Sequence, residues 1–174
     1  VDLDDLSLVM SDGLAPTESD PRFHQQMVYA VATETVRNFE RALGRQIHWY
    51  TPPKYPADQN GSINVLRLHP HAMEQPNAFY DRDAGCILFG YFRANDEGQG
   101  ANLPGQTVFT CLSHDIIAHE TTHAIIDGIR KFFTEPSNPD VLAFHEGFAD
   151  ITALFQHFSY KDAVLDTIQR TGGV

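Results

Sequence analysis

The chain has 174 residues, 42% of them hydrophobic, and a formal charge of −11, with 23 acidic against 12 basic side chains. That is enough apolar material for one packed domain, and the absence of a basic stripe argues against a nucleic-acid partner held through its phosphates. No run of about 20 apolar residues offers a membrane span, and two cysteines make no disulfide framework.

Residues 1–20 are polar and punctuated by Gly13 and Pro16, and they are expected to form an irregular N-terminal arm ahead of a domain covering 21–174. No leader-like basic or apolar run opens the arm, and the sequence favours no compartment. From 21 to 44 the apolar positions Phe23, Met27, Ala30, Val31, Val36, Phe39 and Leu43 follow helical spacing, and Gly44 ends it. His48-Trp49-Tyr50 reads as a short strand and 51–61 as a proline-rich loop. Residues 63–68 alternate as a strand. The stretch 69–76 is expected to be a loop whose His69 and His71 lie at the surface, with a second metal site there as the lesser alternative. Strands near 77–82 and 86–93 form a hairpin, and 94–106 is a glycine-rich loop bordering the cleft. Cys86 sits in an apolar strand and Cys111 just before the next helix, and both read as small buried apolar residues.

The stretch His119-Glu120-Thr121-Thr122-His123 carries the most information. Histidines four apart stand one above the other on a helix, so both imidazoles reach one metal ion. Glu120 points about a quarter-turn away, where it can take a proton from a water held by that metal. Ser113 is a candidate N-cap with Asp115 in the first turn. Arg130 and Lys131 are expected near the C-terminus, and Pro136 is expected to stop the helix. Ile116, Ile117, Ala118, Ala124, Ile125, Ile126 and Ile129 make it apolar on most sides, so it is expected to be buried.

A catalytic zinc needs a third protein ligand and an open fourth position. Glu146 in His145-Glu146-Gly147-Phe148-Ala149-Asp150 is the best candidate, with His145 as a rival that points to another face. Asn138-Pro139 reads as the N-cap and first residue of that second helix. Asp150, four after Glu146, and Asp127, four after His123, can each accept the free ring N–H of a ligating histidine and fix its tautomer. Phe144, Phe148, Ile151, Leu154 and Phe155 make this helix too apolar for a free surface. Ser159 and Asp162 are expected to cap a last helix that Gly172 ends.

HETTH followed by HEGFAD resembles the gluzincin metallopeptidases, and specifically the thermolysin-like neutral proteases. Pro76-Asn77-Ala78-Phe79-Tyr80-Asp81 is similar to that family's substrate-binding edge strand, and the likeness spans about 21–158. It implies an α+β, zincin-like fold, with a small mixed sheet and its edge strand packed on the motif helix, followed by a helical segment. It further implies Zn2+ held by His119, His123 and Glu146, with Glu120 as general base and Asp150 orienting His119. Asn77 and Ala78 would bind the main chain of a peptide or protein substrate.

The expected activity is zinc-dependent peptide-bond hydrolysis, and the alternative is a zinc-binding interaction or regulatory module of the same fold. Two departures from the family favour the alternative, whereas the intact Glu120 favours the peptidase, because a purely structural zinc needs no base. The loop from 130 to 134 holds no tyrosine where the family has one, so either Tyr80, Tyr91, Tyr160 or Arg130 is expected to stabilise an oxyanion or the donor lies beyond residue 174. The family's helical C-terminal domain has no counterpart within the sequence. His157 stands where the family has a calcium-binding glutamate, so no calcium is expected.

Overall fold

Five α-helices and a small mixed sheet make an α+β fold among the residues that the computed structural model describes: 1–50, 65–95, 102–130 and 132–173. Helix α1 (Leu6–Met10) lies inside the arm expected to be irregular, started by the Asp5 carboxylate, which accepts from the Ser7 N–H. None of its five residues is buried, and hydrogen bonds at its two ends hold it, the Asp5 cap at one and the Ser11 and Gly13 N–H groups donating to the Leu8 carbonyl at the other.

Helix α2 (Pro21–Leu43) opens as its sequence demands. Asp20 caps it, Pro21 spends its fixed φ in the first turn, and Gly44 closes it at φ 67, a backbone that L side chains rarely adopt. Its buried face is His24, Val28, Val31, Ala32 and Thr35, at spacings of three and four apart from the adjacent Val31–Ala32 pair.

Strands β1 (Arg67–Met73), β2 (Ala78–Asp81) and β3 (Cys86–Arg93) follow. They lie in the order β1-β3-β2, with β1 parallel and β2 antiparallel to β3. A fourth strand, β4 (Thr107–Phe109), pairs antiparallel with Tyr91–Arg93 at the far end of β3. Central β3 is apolar nearly throughout, and Ile87 and Phe89 are fully buried. After a 3-10 turn (Thr110–Leu112) come α3 (His114–Ile129), α4 (Pro139–Ser159) and α5 (Lys161–Thr171). Helix α3 packs on α4, α2 and β2. The core joins Val28, Val31 and Ala32 of α2 to Ile87, Phe89, Cys111, Ile117, Ala118 and Ala153. Full burial of each large side chain among them stabilises by about 1.5–3 kcal/mol.

Several expectations change. His48-Trp49-Tyr50 joins no strand among the described residues; the segment instead crosses α3 at Gly128, where any Cβ would collide with the His48 carbonyl. The strand expected at 63–68 begins at Arg67 and continues through Met73, so His69 and His71 lie in β1 and not in a loop. Pro70 is tolerated there because β1 is an outer strand, and its pairing shifts register between His69 and Met73. Residues 63 and 64, the proline-rich loop 51–61 and the middle of the glycine-rich loop, 96–101, lie outside the described residues.

Helix α3 ends at Ile129, well before Pro136, with Arg130 as its C-cap and no basic residue in its last turn. Helix α4 starts where expected, with the Asn138 side chain accepting from the Asp140 and Val141 N–H groups. Ser159 does not cap α5: its hydroxyl donates back to the Gln156 carbonyl, and Tyr160 takes the N-cap position without a side-chain bond. The apolar face of α4 is open to solvent, with Phe144, Ile151, Leu154 and Phe155 all exposed. No helix among the described residues is long and apolar enough to cross a membrane.

Candidate metal centre

Helix α3 begins where Ser113, in an extended conformation, turns its hydroxyl to the Ile116 N–H. Two turns in, His119 and His123 come out on the face towards α4. Their Nε2 atoms are 3.0 Å apart. Glu146 of α4 reaches them from the facing helix, with Oε2 at 3.3 Å from His119 Nε2 and Oε1 at 3.7 Å from His123 Nε2. A tetrahedral zinc with nitrogen and oxygen ligands near 2.05 Å has ligand–ligand edges of about 3.3 Å. The three separations bracket that value, and the three donor atoms form a group able to hold a metal. Glu146 is nevertheless 64% exposed, so the third donor is supplied from the open side of the cleft.

The outer ring nitrogens are held too. Asp150 Oδ1 lies 2.9 Å from His119 Nδ1. An ionised carboxylate only accepts, so His119 carries its hydrogen on Nδ1 and presents a lone pair at Nε2. His123 Nδ1 lies 3.0 Å from His145 Nδ1, with the rings stacked. One of the two must donate. The tautomer that frees His123 Nε2 for a cation is the one in which His123 donates, and His145 then carries its hydrogen on Nε2. That buried Nε2 has no hydrogen-bond partner within normal limits among the described residues, although the Phe133 carbonyl is near enough to favour protonation of the ring. Burial, followed by the charge of His119, lowers the His123 pKa to about 4. It is therefore neutral near pH 7, as a metal ligand must be.

Glu120 lies on the neighbouring face of α3, against the sheet. Its Oε2 accepts from the Tyr80 N–H at 3.0 Å, leaving Oε1 uncommitted among the described residues. It is almost fully buried, and burial raises its pKa to about 7, opposed by the Tyr80 bond and assisted by the charge of Glu146. The strand register explains the Tyr80 contact. Gly90 N–H donates to the Asn77 carbonyl, so hydrogen-bonded pairs fall at Asn77, Phe79 and Asp81. The backbone groups of Ala78 and Tyr80 therefore turn outwards. Asn77 Oδ1 accepts from the Ala78 N–H at 3.0 Å, which leaves its amide nitrogen and the Ala78 carbonyl facing the cleft.

Asp127 does not do what its spacing suggests. It lies seven residues after Glu120, within about 20° of the same helix face, and so points at the sheet and not at His123. There it accepts from the Tyr80 hydroxyl at 2.9 Å and pairs with Arg82 at 3.0 Å. Burial raises its pKa, offset by those two partners. Burial and the Asp127 charge push the Tyr80 hydroxyl pKa upwards. Arg82 also covers the Tyr50 ring at 4.1 Å. Sequence reasoning passes over Arg82; the signal for it is its place two residues beyond Tyr80, since alternation along a strand brings both to one side.

Two clefts flank the centre. One of 680 Å³ includes Tyr80, Arg82, Thr134, Leu142 and His145, and one of 570 Å³ includes Thr110, Asp115, Ile116, Asp150 and Leu154. Asn77, Ala78, His119 and Glu120 line both. Of the other oxyanion candidates, Tyr91 packs on His71 and Tyr160 on His114, and neither lines these clefts. Comparison with protein-family models, curated proteins and solved structures finds no match.

Proposed function

We propose that the protein is a zinc-dependent endopeptidase of zincin-like fold, with His119, His123 and Glu146 as metal ligands and Glu120 as general base. The observation that carries this reading is the approach of two imidazole Nε2 lone pairs and a carboxylate at tetrahedral spacing, beside a buried carboxylate that a structural cation would not need. Bound zinc supplies Lewis acidity there, polarising a scissile carbonyl and acidifying an attacking water.

The chain's own groups do the rest. Glu120 is anchored through Oε2 on the Tyr80 N–H, so Oε1 is the atom that accepts the water proton and passes it to the leaving amine. An extended peptide adds to the outward edge of β2, its N–H donating to the Ala78 carbonyl and its C=O accepting from the Asn77 amide. The two clefts on either side of Glu120 take side chains flanking the cleaved bond, which favours an endopeptidase over an enzyme that trims termini. Asp150 holds His119 in the ligating tautomer.

A second reading is a zinc-binding interaction module of the same fold. Asp127 favours it, because it engages both the Tyr80 hydroxyl and Arg82, the phenol and the cation best placed in the cleft to meet a developing oxyanion. Glu120→Gln decides between them. On the peptidase reading it keeps zinc and loses about 100- to 10,000-fold in hydrolysis of a mixed peptide library. Equal inertness of wild type and variant favours the interaction module.

A further inference from the structure

A second group of metal-ligating side chains lies away from the HETTH helix. His24 of α2, His71 of β1 and Cys111 of the 3-10 turn bring Nδ1, Nε2 and Sγ within 4.8 Å of one another. We propose that these three residues form a second transition-metal site, of the zinc class, which ties α2 to the sheet.

Each donor is prepared differently. His24 is buried, and its Nε2 lies 3.0 Å from the Glu18 carbonyl. A carbonyl only accepts, so the hydrogen is on Nε2 and the lone pair on Nδ1 faces the group. This is the arrangement by which proteins orient a ligating imidazole. His71 Nε2 stands 2.7 Å from that Nδ1. A hydrogen bond between the rings accounts for the nitrogen pair but not for the thiol converging on the same point. His71 is exposed, so a small rotation opens the pair to the edge of about 3.3 Å that a tetrahedral ion requires. Cys111 is fully buried and free. Binding shifts the His71 hydrogen from Nε2 to Nδ1, breaks the Cys111 S–H bond, forms a metal–sulfur bond and releases one proton to solvent.

A thiolate with two imidazoles selects zinc, cobalt or copper over calcium or magnesium. The exposed side of His71 leaves room for water as a fourth ligand. Phe109 packs on both rings at 4.6 and 5.2 Å, which limits the freedom of the imidazoles.

Cobalt(II) tests this on the full chain, because only the second site contains sulfur. The chain is stripped with a chelator and titrated with Co2+. A thiolate-to-cobalt charge-transfer band in the near ultraviolet is expected to saturate by two equivalents, one for each proposed site. Cys111→Ala removes the band, and His71→Ala, at an exposed position, weakens the cobalt affinity read from it at least about tenfold. His119→Ala leaves the band intact, so failure of the HETTH centre is read separately. Absence of the band in wild type, or its persistence in Cys111→Ala, overturns the proposal.

Discussion

Asp150 and Asp127 are both carboxylates placed four residues after a candidate ligand, yet they meet different fates. Asp150 reaches His119 Nδ1 because α4 presents it to the side from which Glu146 also comes. Asp127 is drawn to the sheet, where Tyr80 and Arg82 neutralise it. Asp150→Ala is therefore expected to weaken zinc binding about 10- to 100-fold with little loss of stability, measured by competition with a chromophoric chelator. Asp127→Ala is expected to do the reverse. Zinc affinity stays unchanged, and denaturant unfolding reports a loss of about 3 kcal/mol, because Arg82 and the Tyr80 hydroxyl are left without their buried partner. The juxtaposition of His119 and His123 is legible in the sequence because the spacing of two residues on one helix is local. The partner of Asp127 is not, since it depends on which strand settles against that face.

At the scale of elements, one glycine sets the relation between the edge strand and the helix. Gly90 of β3 lies under the chain as it turns into β2, and a Cβ there would meet the Gln75 and Asn77 carbonyls. Gly90→Ala is expected to cost about 1–3 kcal/mol through overpacking. By pushing Asn77 and Ala78 outwards it should also raise KM for peptides while zinc affinity is retained. Steady-state kinetics beside a chelator competition assay checks both halves. The helices are mostly legible because their caps and stops are local: Asp20-Pro21, Ser113, Asn138-Pro139, Gly44 and Gly172 all act where their chemistry places them. The strands are less so. β1 runs through Pro70, and β4 is only three residues long; both exist because β3 offers a partner, which is a tertiary fact that alternation along the chain does not contain.

For the whole molecule, the α+β class follows from strands mostly preceding helices, but the distribution of apolar surface does not. The exposed phenylalanines and leucines of α4 look in sequence like core residues, whereas packing against α3 buries only the side of α4 carrying His145, Ala149, Ala153 and Gln156. The proposed metal centre spans α3 and α4, so its occupancy would couple the two. Zinc at 100 times its dissociation constant is expected to stabilise the fold by about 2.7 kcal/mol through the His119–His123–Glu146 site. In a chain of this length that amounts to roughly 5–10 °C in Tm. Calorimetry of Cys111→Ala with and without zinc isolates that contribution.

Anomalous diffraction at the zinc edge, from crystals grown with zinc, tests the central assignment most directly. A peak bonded to His119 Nε2, His123 Nε2 and the Glu146 carboxylate, lost in His123→Ala, is the expected result. Zinc density elsewhere with none between these three side chains would contradict the ligand assignment, and with it the proposed peptidase.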